Sequence, residues 1–139
     1  ATCAEAGGVG ADDLFGQLKN PFFLGDDPSL TQTLGWTNGW VSQASPVAVA
    51  AESGTDIAIA VNFARQRGVR PVVKGGGHSY FGNSNAANSL LIWTRRMDRV
   101  ELHEAFRPAG APNSIEPVAA IDIGAGALWG RVYSRAAAN

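Results

Sequence analysis

The chain has 139 residues, of which 45% are hydrophobic and 17% are charged, and its formal net charge is -1. This length and composition are typical of one globular domain and exclude a disordered chain. A nearly neutral charge without a basic stripe predicts that the chain has no nucleic-acid partner. A single cysteine, Cys3, excludes an internal disulfide, and only two histidines predict that there is no metal site.

Targeting signals are absent from the visible sequence. No apolar run reaches the ~18 residues that a transmembrane helix requires, so no membrane partner is predicted. No charged stretch followed by an apolar segment indicates a signal peptide. Because the first residue is Ala1 rather than methionine, we expect a processed, trimmed or fragmentary chain whose compartment and oligomeric state stay unknown.

The first 40 residues predict an irregular N-terminal segment, because they are rich in Gly, Asp and Asn and show no periodicity. Within this segment, residues 12–19 place apolar side chains on one side and predict one or two helical turns. Asp27-Pro28 is a turn signal.

A strand, a helix and a strand follow in order. PVAVA at 46–50 predicts a strand that begins with proline, and residues 69–74 predict a second strand. Between them, either Ser53 or Thr55 is expected to cap a helix that ends at Gly68. Short connections of this kind predict a right-handed βαβ unit with a parallel pair of strands.

The rest of the chain predicts three more strands and one helix. The strands are expected at 89–93 (SLLIW), 99–103 (RVELH) and 118–123 (VAAIDI). Three prolines in 105–117 predict a loop, 124–130 predicts a turn, and 128–138 predicts a helix. This helix meets the end of the sequence without a C-cap, so we expect the chain to be cut short.

The glycine loop, residues 75–83 of VVKGGGHSYFGNSN, is the first candidate site. Successive N–H groups that no side chain shields can form a concave anion site, whereas the structural alternative is a tight turn that binds nothing. The spacing does not fit the G-x-x-x-x-G-K-[ST] phosphate loop. The candidate ligand-binding residues here are Gly75, Gly76, Gly77, Ser79, Gly82 and Asn83.

His78 directly follows the three glycines. A lone histidine is most often structural, and metal ligation lacks partner residues. The nucleophile elbow G-x-S-x-G is excluded because Phe81 stands where that motif needs glycine. The remaining functional interpretation is an imidazole that touches or bonds the group attached to a bound phosphate.

A second glycine cluster, GAGALWG at 124–130, follows a strand and opens a helix. It resembles the dinucleotide fingerprint, but that motif expects an acidic residue about 20 positions further on, beyond the last residue. We therefore favour a tight strand-to-helix turn that lines a ligand over a separate NAD site.

The string PVAVAAESGTDIAIAVNFARQRGVRPVVKGGGHSYFGNSN, followed by SLLIWTRRMDRVEL and AIDIGAGALWGRVY, resembles one protein family. The chain is similar to the FAD-binding part of p-cresol methylhydroxylase-type and vanillyl-alcohol oxidase-type flavoproteins, above all to the berberine-bridge-enzyme-like branch. The resemblance rests chiefly on G-G-G-H-S-Y-x-G. Two positions depart from the family pattern: Lys74 replaces the usual arginine, and Trp93 replaces a common aspartate.

The resemblance implies an α+β fold, with a small βαβ subdomain followed by the start of a second α+β subdomain. Residues 1–40 would precede an FAD-binding domain at 41–139 that is incomplete at its C-terminus. The resemblance also implies that the glycine loop holds the FAD pyrophosphate and that His78 carries the flavin covalently. The implied cofactor-binding residues are Lys74, Gly75, Gly76, Gly77, His78, Ser79, Tyr80, Gly82, Asn83, Gly124 and Gly126.

The activity implied by the resemblance is that of an FAD-linked oxidoreductase. Such an enzyme moves hydride from an alcohol, amine or sugar carbon of a small molecule to flavin N5, with oxygen as one candidate acceptor. The substrate domain, the catalytic base and a second flavin-linking cysteine are expected outside this sequence, so the 139-residue chain alone is expected to be inactive. The alternatives are a non-catalytic module that binds a nucleotide or phosphate, and an inactive truncated remnant.

Overall fold

The computed structural model of the chain describes residues 16–17, 20, 23, 26–30, 39–41 and 43–138. Cys3 and most of the predicted helical segment 12–19 lie outside the described residues. Seven elements are defined, namely β1 Val47–Ala50, α1 Gly54–Arg67, β2 Arg70–Lys74, β3 Ser89–Trp93, β4 Val100–Phe106, β5 Val118–Ile123 and α2 Trp129–Ala137. This mixture of sheets and helices confirms the predicted α+β class.

Helix α1 begins and ends where its local sequence predicts. Ser53 is the N-cap: its Oγ accepts from Asp56 N at 3.3 Å, and Asp56 Oδ2 accepts from Ser53 N at 2.9 Å. This reciprocal capping box satisfies two backbone donors that the first helical turn cannot pair. At the other end Gly68 has φ +63°, the left-handed conformation that commonly ends a helix.

The first sheet is fully parallel and has the order β1-β3-β2. The sequence predicted that β1 and β2 form a parallel pair, but β3 lies between them, which corrects that pairing. The physical reason is burial: Leu90, Leu91 and Ile92 of β3 are 5%, 1% and 1% exposed, so this strand needs cover on both faces and both edges. Val73 on the edge strand β2 is 59% exposed.

The core lies between α1 and one face of this sheet. Ala60 and Ala64 of the helix pack with Ala51, Leu90 and Ile92 in a single buried cluster. Alanine on the inner face of α1 lets the helix approach the sheet closely, because it adds little volume between the two layers.

The second sheet is the antiparallel pair of β4 and β5. Strand β4 extends to Phe106, which pairs with Val118 beyond an irregularity that follows His103. The predicted loop at 105–117 therefore begins too early, because a bulge lets the ladder continue past the alternating RVELH pattern. Helix α2 follows β5, with Val132 buried to 4% exposure.

Neither α1 nor α2, the helices defined within the described ranges, has the length and apolar character that crossing a bilayer requires.

Candidate cofactor-binding site

The glycine loop lies at the carboxyl edge of the parallel sheet. Residues 75–83 follow the end of β2, and Thr94 follows the end of β3. Because all three strands run in one direction, their carboxyl ends meet at the same edge. Open α/β sheets bind ligands at this edge, where loops rather than side chains of the sheet form the surface.

The main chain of the glycine loop has N–H groups for which the described residues supply no acceptor. Within the described part of the chain, the N–H groups of residues 75–80 donate no hydrogen bond. Gly77 is a buried residue with φ +74°. Gly77 is the buried residue of this run, and buried backbone N–H groups are nearly always paired in folded proteins, so its N–H fits an acceptor supplied by a ligand, such as an anion. The neighbouring N–H groups are half-buried or exposed, and either water or the same ligand can pair them.

Packing within the protein also requires glycine at three positions of the loop. A Cβ at Gly75 would lie 2.9 Å from Ala125 O, and one at Gly77 would lie 2.8 Å from Lys74 Cε. A Cβ at Gly82, where φ is +70°, would lie 2.4 Å from the Trp40 ring. Packing within the protein therefore explains the glycines at these three positions without a ligand. The case for a ligand rests on the N–H groups that find no acceptor among the described residues.

The second glycine turn, residues 124–126, packs against the chain that leaves β3. A Cβ at Gly124 would lie 2.1 Å from Met97 O, and one at Gly126 would lie 2.1 Å from Thr94 O. Thr94 Oγ1 donates to Ala125 O at 3.2 Å, next to the close approach of Gly75. The structure thus brings the two glycine segments, which are far apart in sequence, to one edge of the sheet.

The imidazole of His78 is exposed and forms no hydrogen bond with the described residues. Its ring folds back over the loop, since a Cβ at Gly76 would lie 2.8 Å from His78 Cδ2. No polar partner among the described residues occupies the ring nitrogens, so they are available for a bond to a ligand.

The other predicted donors of the loop bind one another or the N-terminal part of the chain. Ser79 Oγ donates to Asn83 Oδ1 and accepts from Phe81 N at 3.3 Å. The Tyr80 side chain is 56% exposed, and its carbonyl accepts from Trp40 Nε1 at 2.9 Å. Ser79 and Asn83 therefore help to close the loop in this structure.

Lys74 lies under the glycine loop rather than on its surface. The residue is 0% exposed, and its Nζ donates to Asp27 O at 2.5 Å and to Leu30 O at 2.6 Å. Loss of hydration on burial lowers the pKa of the ammonium to about 8, against a partial opposing effect of the carboxylates of Asp27 and Asp26.

Sequence reasoning did not assign Thr94, Arg95 or Trp40 to the candidate site, although each contacts a glycine segment. Arg95 Nη1 donates to Gly126 O at 2.8 Å. For Thr94 and Arg95 the available signal was their position directly after an apolar strand, where a parallel sheet presents its binding edge.

The second sheet brings together three groups that the sequence did not connect. Single ligand atoms of Glu101, His103 and Asp122 lie within 4.8 Å of one another. His103 Nε2 lies 3.0 Å from Asp122 Oδ2, and Arg99 Nη2 lies 2.5 Å from Glu101 Oε2. These pairings account for the cluster as a surface charge network, and the absence of a metal site stays a prediction.

Comparison with known proteins gives relatives that share this domain. The FAD binding domain family matches residues 45–139. FAD-linked oxidoreductase penH of Penicillium thymicola is 38% identical over 86 residues, which are 62% of this chain and 15% of that protein. FAD-linked oxidoreductase cheF of Chaetomium globosum is 39% identical over 82 residues, which are 59% of this chain and 13% of that protein. The chain thus spans about 15% of the length of the curated relatives it matches.

Solved structures show the same fold. The VAO-type flavoprotein MtVAO713 from Myceliophthora thermophila C1 superposes with a TM-score of 0.74 at 24% identity, covering 91% of this chain and 25% of that one. The described strands and helices therefore have the same fold as the matching part of that protein. Because the family match extends over more than half of the sequence, the chain belongs to the FAD binding domain family.

Proposed function

We propose that the glycine loop binds the pyrophosphate of FAD and that the chain is the FAD-binding section of an FAD-linked oxidoreductase. The observation that carries this proposal is the run of N–H groups at 75–80 with no acceptor among the described residues, at the carboxyl edge of a parallel sheet. A diphosphate supplies several negatively charged oxygens to such a run, and glycine leaves room for close approach.

The residues that fit the cofactor divide into two groups. The main chain at Gly75, Gly76, Gly77 and Ser79 would hold the pyrophosphate, and the second glycine turn would border it from the neighbouring segment. When bound, the flavin would supply two-electron chemistry on an alcohol, amine or sugar carbon of a small molecule, and oxygen or another electron acceptor would reoxidise it. The protein's own part is to bind and orient the cofactor.

We further propose that His78 carries the flavin covalently, as in the berberine-bridge-enzyme-like branch. Its exposed ring lies beside the glycine loop and has nitrogens without a partner among the described residues. Forming the linkage would replace an imidazole N–H and an 8α C–H by one C–N bond. His78 would supply the nitrogen, and the cofactor, with dioxygen as the terminal oxidant, would take up the two electrons and two protons released.

The test uses the two histidines of the chain as variant and control. His78→Ala should abolish the flavin absorbance that remains after denaturation and acid precipitation, while reversible FAD binding persists. His103→Ala changes a histidine on the second sheet and should keep the covalent chromophore. Covalent flavin in His78→Ala, or its loss in both variants, would overturn the assignment of His78, and failure of the unaltered chain to take up FAD would overturn the proposed function.

A non-catalytic nucleotide-binding module is the second candidate, because the described residues provide a binding edge and no assigned catalytic base. Similar reversible affinity for FAD, ADP and ATP, with no retained chromophore, would favour the module. We expect the 139-residue chain alone to show no steady peroxide release with FAD and generic alcohol or sugar substrates. Sustained release would contradict the expectation that catalytic groups lie elsewhere.

A further inference from the structure

Buried polar side chains lie among apolar ones on the face of the parallel sheet opposite α1. Leu90 and Ile92 of β3 face α1, so the alternate residue Ser89 faces the other way, as does Lys74, which pairs with Trp93. Lys74 and Ser89 are 0% and 2% exposed. Polar side chains this deeply buried need specific partners.

Lys74 finds its partners in the 26–30 segment, near the start of the chain. The carbonyls of Asp27 and Leu30 accept from Lys74 Nζ at 2.5 and 2.6 Å. Asn85, which is 3% exposed and follows the glycine loop, donates from Nδ2 to Pro28 O at 3.0 Å. Two side chains that flank the glycine loop therefore hold one short piece of backbone.

The same segment is attached to the second glycine turn. Asp26 Oδ1 lies 2.6 Å from Arg95 Nε, and Arg95 Nη1 donates to Gly126 O at 2.8 Å. The Arg95 side chain is 18% exposed, so this bridge is partly shielded from water and salt. Lys74 at one end and Arg95 at the other thus connect both glycine segments through residues 26–30.

The stem of Lys74 supports the glycine loop directly. A Cβ at Gly77 would lie 2.8 Å from Lys74 Cε, so the loop backbone rests on the lysine methylenes. Any shift of the ammonium away from the carbonyls of Asp27 and Leu30 would move this support. The position of the loop and the docking of the 26–30 segment are therefore mechanically connected.

We propose that Lys74 is a positioning residue: it couples docking of the 26–30 segment to the geometry of the glycine loop, and thereby to FAD affinity. In this role Lys74 does not contact the pyrophosphate, because two of its three ammonium N–H groups already donate hydrogen bonds to backbone carbonyls inside the protein. This inference rests on the proposed function as far as FAD is concerned. The docking of residues 26–30 by Lys74 does not depend on it.

The coupling predicts reciprocity. If a docked 26–30 segment strengthens FAD binding, bound FAD must strengthen docking by the same factor. The amides of Ser29 and Leu30 report on docking, because they donate to Asp27 Oδ1 at 2.8 Å and Asp27 O at 3.4 Å. We expect FAD to slow hydrogen exchange at both amides in the full chain by fivefold or more.

Lys74→Met keeps the length of the stem and removes the ammonium. We expect exchange at Ser29 and Leu30 to become at least tenfold faster, FAD to bind at least tenfold more weakly, and FAD to lose its effect on these amides. Arg70→Met is the control, because it removes an exposed cation from the other end of the same strand. It should leave exchange and FAD affinity unchanged.

A second pair of variants covers the case in which Lys74→Met does not fold. Asp26→Asn breaks the bridge to Arg95 from an exposed position and should give smaller changes in the same direction. Asp98→Asn breaks a more exposed pair, with Arg131, that lies outside the 26–30 segment, and it should have no effect.

Two outcomes would overturn the inference. In one, Lys74→Met weakens binding of FAD and of free pyrophosphate while exchange at 29–30 stays unchanged, which makes Lys74 a direct phosphate ligand. In the other, saturating FAD leaves exchange at these amides unaltered in the unmodified chain. If the unmodified chain takes up no FAD, the proposed function and the cofactor coupling fail together, and the exchange rates without FAD still decide whether Lys74 docks residues 26–30.

Discussion

Gly126→Ala tests whether the second glycine turn has to lie against the exit of β3. The added Cβ would lie 2.1 Å from Thr94 O and 2.6 Å from Arg95 Cα, and both atoms belong to the backbone. Because real Cβ contacts essentially never fall below 3.0 Å, the two chain segments must separate by almost an ångström. No flexible side chain end can absorb this movement.

The cost has two parts. Overpacking of a well-packed contact costs about 1–3 kcal/mol. The separation also weakens the hydrogen bonds from Arg95 Nη1 to Gly126 O at 2.8 Å and from Gly126 N to Met97 O at 3.0 Å. Each such bond contributes about 1 kcal/mol net. We therefore expect the free energy of unfolding to fall by about 2–4 kcal/mol and FAD affinity to fall with it.

Gly130→Ala is the matched control, since the residue lies in α2 and a Cβ there has no described atom within 4 Å beyond its chain neighbours and its own helix backbone. It should stabilise the chain by up to about 1 kcal/mol through helix propensity. Urea denaturation followed by far-UV circular dichroism measures both variants. In a chain of this size, a change of 1 kcal/mol in the free energy of unfolding shifts the midpoint of thermal unfolding by about 4 °C. The midpoints of the two variants should therefore differ by about 10 °C or more. If Gly126→Ala were as stable as the unaltered chain, Gly126 could not lie this close to the backbone of Thr94 and Arg95.

Two pH dependences follow from the shifted pKa values. The folded pKa of Lys74 is about 8, below the ordinary 10.5, so the unfolded chain binds more protons between these values and stability rises with pH across this window. The free energy of unfolding gains at most about 3 kcal/mol across this window, and less where water reaches the ammonium. Urea unfolding should show this gain as a pH-dependent difference in the free energy of unfolding between the unaltered chain and Lys74→Met. A difference that does not change with pH would contradict the burial of the Lys74 ammonium. Hydrogen bonds from Ser53 Oγ and from the N–H groups of Glu52 and Ser53 lower the pKa of Asp56 below 3.8. Its stabilising effect is present above that pH and disappears as pH falls through the lowered pKa, so Asp56→Asn should reduce the acid-side slope of stability; an unchanged slope would argue against the capping box.

Local sequence predicted the elements whose ends depend on neighbouring residues. Ser53, Asp56 and Gly68 define α1 because a cap and a left-handed terminus involve groups only a few positions apart. The bounds of β3, β5 and α2 also agree with the sequence to within a residue or so. The glycine loop was located correctly after β2, whereas the cofactor contacts of its residues stay predictions.

Strand order and the end of β4 could not be predicted. Which strand takes the centre of a sheet depends on burial from both faces, and part of the burial of β3 comes from the packing of α1 against Leu90 and Ile92. The extension of β4 to Phe106 depends on a partner, Val118, that a local pattern does not contain. Lys74 was predicted at the cofactor because of its place in the motif, and that role stays a prediction. The sequence could not show that its amine donates to carbonyls more than 40 residues earlier in the chain.

The sequence by itself determined the helix caps, the apolar strands and the run of glycines that precedes His78, because these follow from short-range sterics and residue chemistry. Only the tertiary structure decided that the two glycine segments meet at one edge and that a buried lysine and an arginine connect both to residues 26–30. Such contacts depend on how parts of the chain that are distant in sequence pack together and form hydrogen bonds with buried polar groups.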